Sequence, residues 1–489
     1  MVQRHRRSFF LAFIFTLGLQ AAPSRSSSPF EQGRLSYESG NYVRALDQFS
    51  RVIRSPGNAG ERNRAYYFQG LTLFEMGLYY SSFVSFRNVL VAADDKSRDV
   101  LEKAIKNAVV IVDKLNMVEK MGKILKNMPP NLIPSSVSGF SHYAIGVYEF
   151  KRGNMDGASG YLKSVHPESP VYPKALLYLG ISATKKKDRK EAAYYFNRLL
   201  ELTTGKRESF DLQELARLNL ARTVYSAGNM EKAIEIYSQF LSSSPHWLTV
   251  LLEASWPLMR VSDTTVSLGN LHTVISPYYR DELLGEGYLL RSTILYSLCK
   301  YEEMRKTLNQ FFEIYDPILR DMQKEARSLS GGAAFYSAFT TENGLNQAFR
   351  NFAKRDIGIQ NDQKVITLLV TERRKLAKLN RIPQMRRMAE LIDAAQKELT
   401  TGIGGDLQVM HQTKLRDLLS QREQANYLKV EIVTGEKELV EGQKGLPPKR
   451  VVDVETTVSA GYHFWPFKGE YWEDELGAYV YTTESSCIQ

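Results

Sequence analysis

Between Ser141 and Pro245 the chain writes one pattern three times: "YAIGVYEFKRGNMDGASGYLKSVHPESP" from Tyr143, "ALLYLGISATKKKDRKEAAYYFNRLLEL" from Ala175 and "RLNLARTVYSAGNMEKAIEIYSQFLSSSP" from Arg217. The copies align on a small residue, Gly146, Gly180 or Ala221. Twelve residues on lies a second small residue, Ala158, Ala192 or Ala233, and four further on a large apolar one, Leu162, Phe196 or Tyr237. The steps between copies are 34 and 41 residues. Each copy reads as helix, turn, helix. The small residues mark where the two helices cross, because a large side chain there holds the backbones apart. Gly153, Lys187 and Gly228 fall at the turn, and Pro170 and Pro245 close the first and third copies because proline cannot continue a helix.

A period of this length with a small, small, large signature resembles the tetratricopeptide repeat family. The resemblance implies an all-α, right-handed superhelical solenoid that binds protein partners and carries no catalytic residues. Working outward, two copies precede the central ones, with Gly33, Ala45 and Phe49, then Gly70, Ser82 and Phe86 on the template, so repeats are expected over 30–90. Residues 91–140 look helical without the signature, and "NMPPNLIPSS" breaks them, which suggests an irregular insertion. Repeats resume over 141–317. One copy is interrupted at Trp256-Pro257 and Ser276-Pro277; another carries Ser292, Met304 and Leu308 and is closed by Pro317. The reading gives about seven units in all.

Residues 318–441 continue as a helical extension. Polar amphipathic stretches from Lys364 to Leu399 and from Leu407 to Glu441, with "TTGIGGD" between them, read as a coiled-coil-like hairpin turning at the glycines. Pro383 is expected to kink or break the first helix. Arg373, Arg374, Lys375, Arg386 and Arg387 form a basic stretch suited to peptidoglycan or an anionic membrane surface. After a linker, residues 451–489 are dense in aromatics, including Trp465, Tyr471 and Trp472. So much apolar surface has to dock, on the chain's own solenoid or on a partner. "GAYVYTT" has the alternation of a strand.

The first 22 residues read as a signal peptide: Arg4, Arg6 and Arg7, the apolar run "FFLAFIFTLGL", then small residues. The run is too short to span a bilayer comfortably. Export of the mature chain to the periplasm of a Gram-negative bacterium is therefore expected. With only Cys299 and Cys487 present, one disulfide is open to the chain, as are two separate thiols. A net charge of +10, part of it in the leader, is moderately basic; export argues against a nucleic-acid partner.

No chemistry stands out. The seven histidines show no metal-ligand spacing, the cysteines form no CxxC, and "GIGGD" lacks the lysine and preceding strand of a phosphate loop. No cofactor, metal or small-molecule substrate is expected, and no enzyme. Candidate groove residues on the first helices of the copies are Tyr143, Tyr148, Tyr178, Arg217, Asn219 and Arg222, the last two resembling the polar positions that clamp peptide backbones. The ending "WPFKGEYWEDELGAYVY" behind an exported repeat array is similar to envelope tetratricopeptide proteins of gliding and predatory deltaproteobacteria, some of them in the adventurous gliding machinery. This resemblance implies a non-enzymatic scaffold of a cell-envelope complex. An accessory role in peptidoglycan or outer-membrane biogenesis is the other reading.

Overall fold

A left-handed residue recurs along the first two thirds of the chain: Gly40, Gly77, Asn116, Gly153, Lys187, Gly228, Ser262 and Cys299 all have φ between 50° and 88°. Each sits at the tip between two antiparallel helices, where the chain must reverse within a few residues. The computed structural model describes residues 28–56, 58–92, 98–442, 469–481 and 485–487. The helix pairs are α1 (Pro29–Glu38) and α2 (Tyr42–Arg54), α3 (Ala59–Glu75) and α4 (Tyr79–Val91), α5 (Arg98–Lys114) and α6 (Val118–Lys126), and α7 (Ser138–Lys151) and α8 (Met155–Lys163). They continue with α9 (Tyr172–Lys185) and α10 (Arg189–Thr203), α11 (Phe210–Ser226) and α12 (Met230–Tyr237), α13 (Trp247–Arg260) and α14 (Thr264–Val274), and α15 (Gly285–Ser297) and α16 (Tyr301–Ser328).

The three-residue signature does what its chemistry requires. A Cβ on Gly33 would come within 2.6 Å of the Phe49 ring, and one on Gly70 within 2.6 Å of Phe86. At Gly180 it would overlap Phe196. Ala45, Ala158, Ala192 and Ala233 are fully buried on the facing helices. We expect Gly180→Leu to cost about 3 kcal/mol, because the second helix cannot retreat without unpacking the next pair. A shift of the urea midpoint measures it, and an unchanged midpoint would refute the crossing argument.

Two expectations are corrected within the array. Residues 91–140 are not an irregular insertion throughout: α5 and α6 form a pair turning at Asn116 like the others, and among the described residues of that span the irregular stretch is 127–137, with short 3-10 turns at Pro130–Leu132 and Ser135–Val137. Pro257 and Pro317 interrupt nothing, since α13 and the 28-residue α16 run through them. In α16 the proline removes one backbone hydrogen bond, but Phe311, Tyr315, Ile318, Leu319 and Met322 are buried on both sides of it, and that burial outweighs the loss.

Beyond the array come α17 (Gly332–Thr340), α18 (Gln347–Arg355), α19 (Ile357–Ala377) and α20 (Pro383–Gly442). The hairpin exists, but its turn is not at the glycines. The chain reverses over 378–382, and α20 then runs unbroken for 60 residues, roughly 90 Å, straight through Gly402, Gly404 and Gly405. Pro383 opens the helix at its first position, where a missing N–H costs nothing. Gly404 and Gly332 instead let α20 and α17 cross backbone to backbone: a Cβ on either would overlap a main-chain carbonyl of the other helix.

This long helix is a strut between an early and a late part of the array. Val365, Leu369 and Leu376 of α19, with Met385, Met388 and Ile392 of α20, share a core with α3–α7. Farther along, Ile403, Leu407, Leu415, Leu418, Ala425 and Ile432 share another with α13–α18. The core of the middle repeats takes no residue from the strut. At the near end the buried Glu372 carboxylate accepts from the Tyr80 N–H (2.9 Å), the Ser81 N–H (2.7 Å) and the Ser81 hydroxyl (2.6 Å), closing the N-terminus of α4. Burial holds this carboxyl above its ordinary range, against the pull of those donors. At the far end Arg305 forks onto Glu436 at 2.7 Å, and Arg422 meets Asp316 at 2.7 Å.

Candidate interaction surface

The first helix of each pair carries one stripe that its own pair does not bury. In α7, α9, α11 and α13 that stripe includes Phe150, Ile181, Tyr225 and Met259, all half-buried, with Lys151, Lys185 and Arg260 exposed beside them. Phe150 packs edge-on against Tyr178 (centroids 5.1 Å), Tyr178 against Tyr143 (6.2 Å), and Lys185 Nζ lies 4.7 Å over the Phe150 ring. An aromatic ridge with a cation on it thus joins α7 to α9. Across α9–α13 no hydrogen bond or ion pair reaches α19 or α20 among the described residues.

The residues singled out in the sequence divide. Tyr178 stands in the ridge. Tyr143, expected to be exposed, is 5% accessible; it is a core residue, and burial raises its phenol well above the ordinary range. Tyr148 accepts from Arg152 at 2.8 Å. The Arg217 guanidinium lies 5.7 Å over the Phe240 ring. The two clamp positions are engaged internally: Asn219 donates to the Leu215 carbonyl of its own helix, and Arg222 forks onto Glu253 (2.6 and 2.9 Å). Glu253 also takes the Tyr237 hydroxyl at 3.0 Å. Sequence reasoning missed Phe150, Tyr225 and Met259. A signal was there, since each follows the small crossing residue of its helix (Gly146, Ala221 and Ser255) by one helical turn.

The tail lies elsewhere. Tyr471 stacks on His272 at 4.5 Å, Trp472 is 38% exposed, and Trp465 falls outside the described residues, as does the 1–22 leader. Burial, with Arg291 beside it, pushes the His272 imidazole down to about 3. A disulfide joins Cys299 to Cys487 across 188 residues of chain. "GAYVYTT" forms no strand among the described residues; its backbone runs over α14 instead. Of the basic stretch, Arg373 pairs with Asp393 at 2.8 Å and Lys375 donates to the Met76 carbonyl at 3.2 Å, while Arg374, Arg386 and Arg387 are exposed at the α19–α20 bend. No group of three His, Cys, Asp or Glu side chains is placed to hold a metal, and no helix is long and apolar enough to cross a membrane, among the described residues.

The second central copy decides the type of repeat, for residues 174–202 match the tetratricopeptide repeat family model. The array is a tetratricopeptide-type solenoid. A search of curated proteins finds no match by sequence. Among solved structures, the apo form of RapI is similar at 11% identity, covering 76% of this chain and 98% of that one, with a TM-score of 0.37. A thermophilic tetratricopeptide protein of Thermus thermophilus is 19% identical, over 47% of this chain and 97% of that one, at a TM-score of 0.20. The tetratricopeptide solenoid is in general a binding scaffold and not a catalyst, and its stacked pairs present an extended surface to protein partners.

Proposed function

We propose that this protein is a non-enzymatic periplasmic scaffold of a cell-envelope complex, of the motility or gliding type, and that it holds a partner's polypeptide segment against the first helices of its middle repeats. One observation carries the reading. α19 and α20 complete the buried cores of α3–α7 and of α13–α18, while the core behind the Phe150–Tyr178–Tyr225 stripe takes no residue from them. The exposed Lys185 and Arg260 beside that stripe suit a segment bearing acidic residues. Because Asn219 and Arg222 are spent within the array, side-chain packing, not a polar clamp on the backbone, sets the specificity.

A photo-crosslinking residue at Tyr225, compared with one at the exposed Tyr194 of α10, tests this in intact cells. Envelope proteins captured from position 225 and not from 194 are the expected result. Peptidoglycan or lipid as the sole product at both positions sinks the scaffold. The same outcome would favour the biogenesis reading, for which the exposed Arg374, Arg386 and Arg387 at the α19–α20 bend are the supporting observation.

A further inference from the structure

Residues 469–481 lie as a strip against one face of the last repeats, turning through a short 3-10 helix at Glu473–Glu475, and residues 485–487 lie against the end of α15. The Tyr481 N–H donates to the Thr265 carbonyl (3.3 Å), the Gly477 N–H to the Thr273 hydroxyl (2.8 Å) and the Ser486 N–H to the Leu298 carbonyl (2.8 Å). Thr265, Gly269, His272 and Thr273 lie on one face of α14, and the absent side chain at Gly269 is what admits the strip, since a Cβ there would overlap the Tyr479 carbonyl. Tyr481 is the anchor. Its hydroxyl accepts from Arg291 (3.1 Å) and donates to Glu303 (3.0 Å), with the guanidinium 4.9 Å over its ring. Arg291 is 94% buried, and its Nε and Nη1 have no hydrogen-bond partner among the described residues. So a groove with a buried cation, a glycine floor and spare donors is filled by a segment with tyrosines two residues apart. Such a groove recognises a main chain and one tyrosine, features that a partner can also supply.

We propose that this face of α14 and α15 is a binding site for a tyrosine-bearing polypeptide segment, occupied in cis by the chain's own tail, with the Cys299–Cys487 bond as its catch. A dithiol opens the catch. One of its thiolates attacks a cysteine sulfur and releases the other cysteine as a thiol, and its second thiol resolves the mixed disulfide. Two electrons and two protons pass to Cys299 and Cys487, and the reductant leaves as a disulfide. The strip is then held by reversible contacts alone, and a partner's segment competes for the groove. This site is separate from the stripe on the middle repeats and does not depend on that assignment.

The test uses the full-length chain. Hydrogen exchange at the Gly477 and Tyr481 amides should quicken at least tenfold on reduction with dithiothreitol, while the amides of α14–α16 stay protected. Equal protection before and after reduction, or loss of protection in α14–α16 as well, overturns the catch, because the bond is then only a staple. The probe for the site is a fluorescein-labelled synthetic copy of residues 469–487 bearing Cys487→Ser. In anisotropy titrations it should bind the reduced Tyr481→Ala chain, whose own strip has lost its anchor, and not the oxidised wild type. Adding Gly269→Ala, which favours the helix but fills the groove floor, should weaken binding at least tenfold. Binding that ignores Gly269→Ala, or that is as tight to the oxidised chain, refutes the site.

Discussion

Replacing Gly404 with leucine should destabilise the protein by about 3 kcal/mol or more, one of the largest single-residue effects expected outside the repeat signature. At this position α20 and α17 touch main chain to main chain, so there is no flexible side-chain end to give way. Separating the two helices also opens the packing beside the crossing. There Phe335, Phe339 and Phe349 are buried, and His411, without exposure, meets Glu325 at 2.8 Å between the rings of Phe335 and Phe349. The control is two residues away. Gly402 is exposed with nothing near its missing Cβ, so Gly402→Ala should leave the fold intact and stabilise it by up to about 1 kcal/mol through helix propensity. Urea unfolding of the two variants decides the matter: opposite signs support the crossing, and equal small losses would mean that the glycines are spacers.

Glu372→Ala is the second. The residue before α4 is Leu78, whose side chain cannot accept a hydrogen bond, and α4 has no side-chain cap of its own. Glu372 closes that helix end from a position almost three hundred residues later in the chain. Its removal leaves buried donors without an acceptor, a loss of roughly 3 kcal/mol. The loss should appear first as faster exchange of the α4 first-turn amides and of α19, with α9–α12 unaffected. Glu372→Gln keeps one acceptor and should cost less than the alanine. If exchange rises evenly along the array instead, the strut is not an independent tie.

The sequence carried the repeat because small and large residues at fixed spacing have few other uses on paired helices, and Gly33, Gly70, Gly146 and Gly180 stand where that reading puts them. Glycine and proline outside that pattern were ambiguous. A glycine cluster serves a turn or a close crossing equally well, and only the identity of the facing helix, α17 against Gly404, separates the two. Pro383 can end a helix or begin one. The candidate surface was half legible: Tyr178 stands out on its helix while Tyr225, one turn after Ala221, does not, and whether an arginine such as Arg222 is free depends on Glu253, a residue of the following pair. The path of the tail was beyond reach of local pattern, since Thr265, Gly269, Arg291 and Tyr481 converge only in the folded chain.

A stack of helix pairs is in mechanical terms a spring, soft to winding and stretching because each pair rests only on its neighbours. The strut strings that spring like a bow. Tension applied to the ends of the array loads α20 along its axis and through its buried contacts before it can change the curvature of the middle pairs. A change in the winding of the middle pairs therefore has to strain the packing at both anchorages of α20, so the strut should act as a stay that a free stack of pairs lacks.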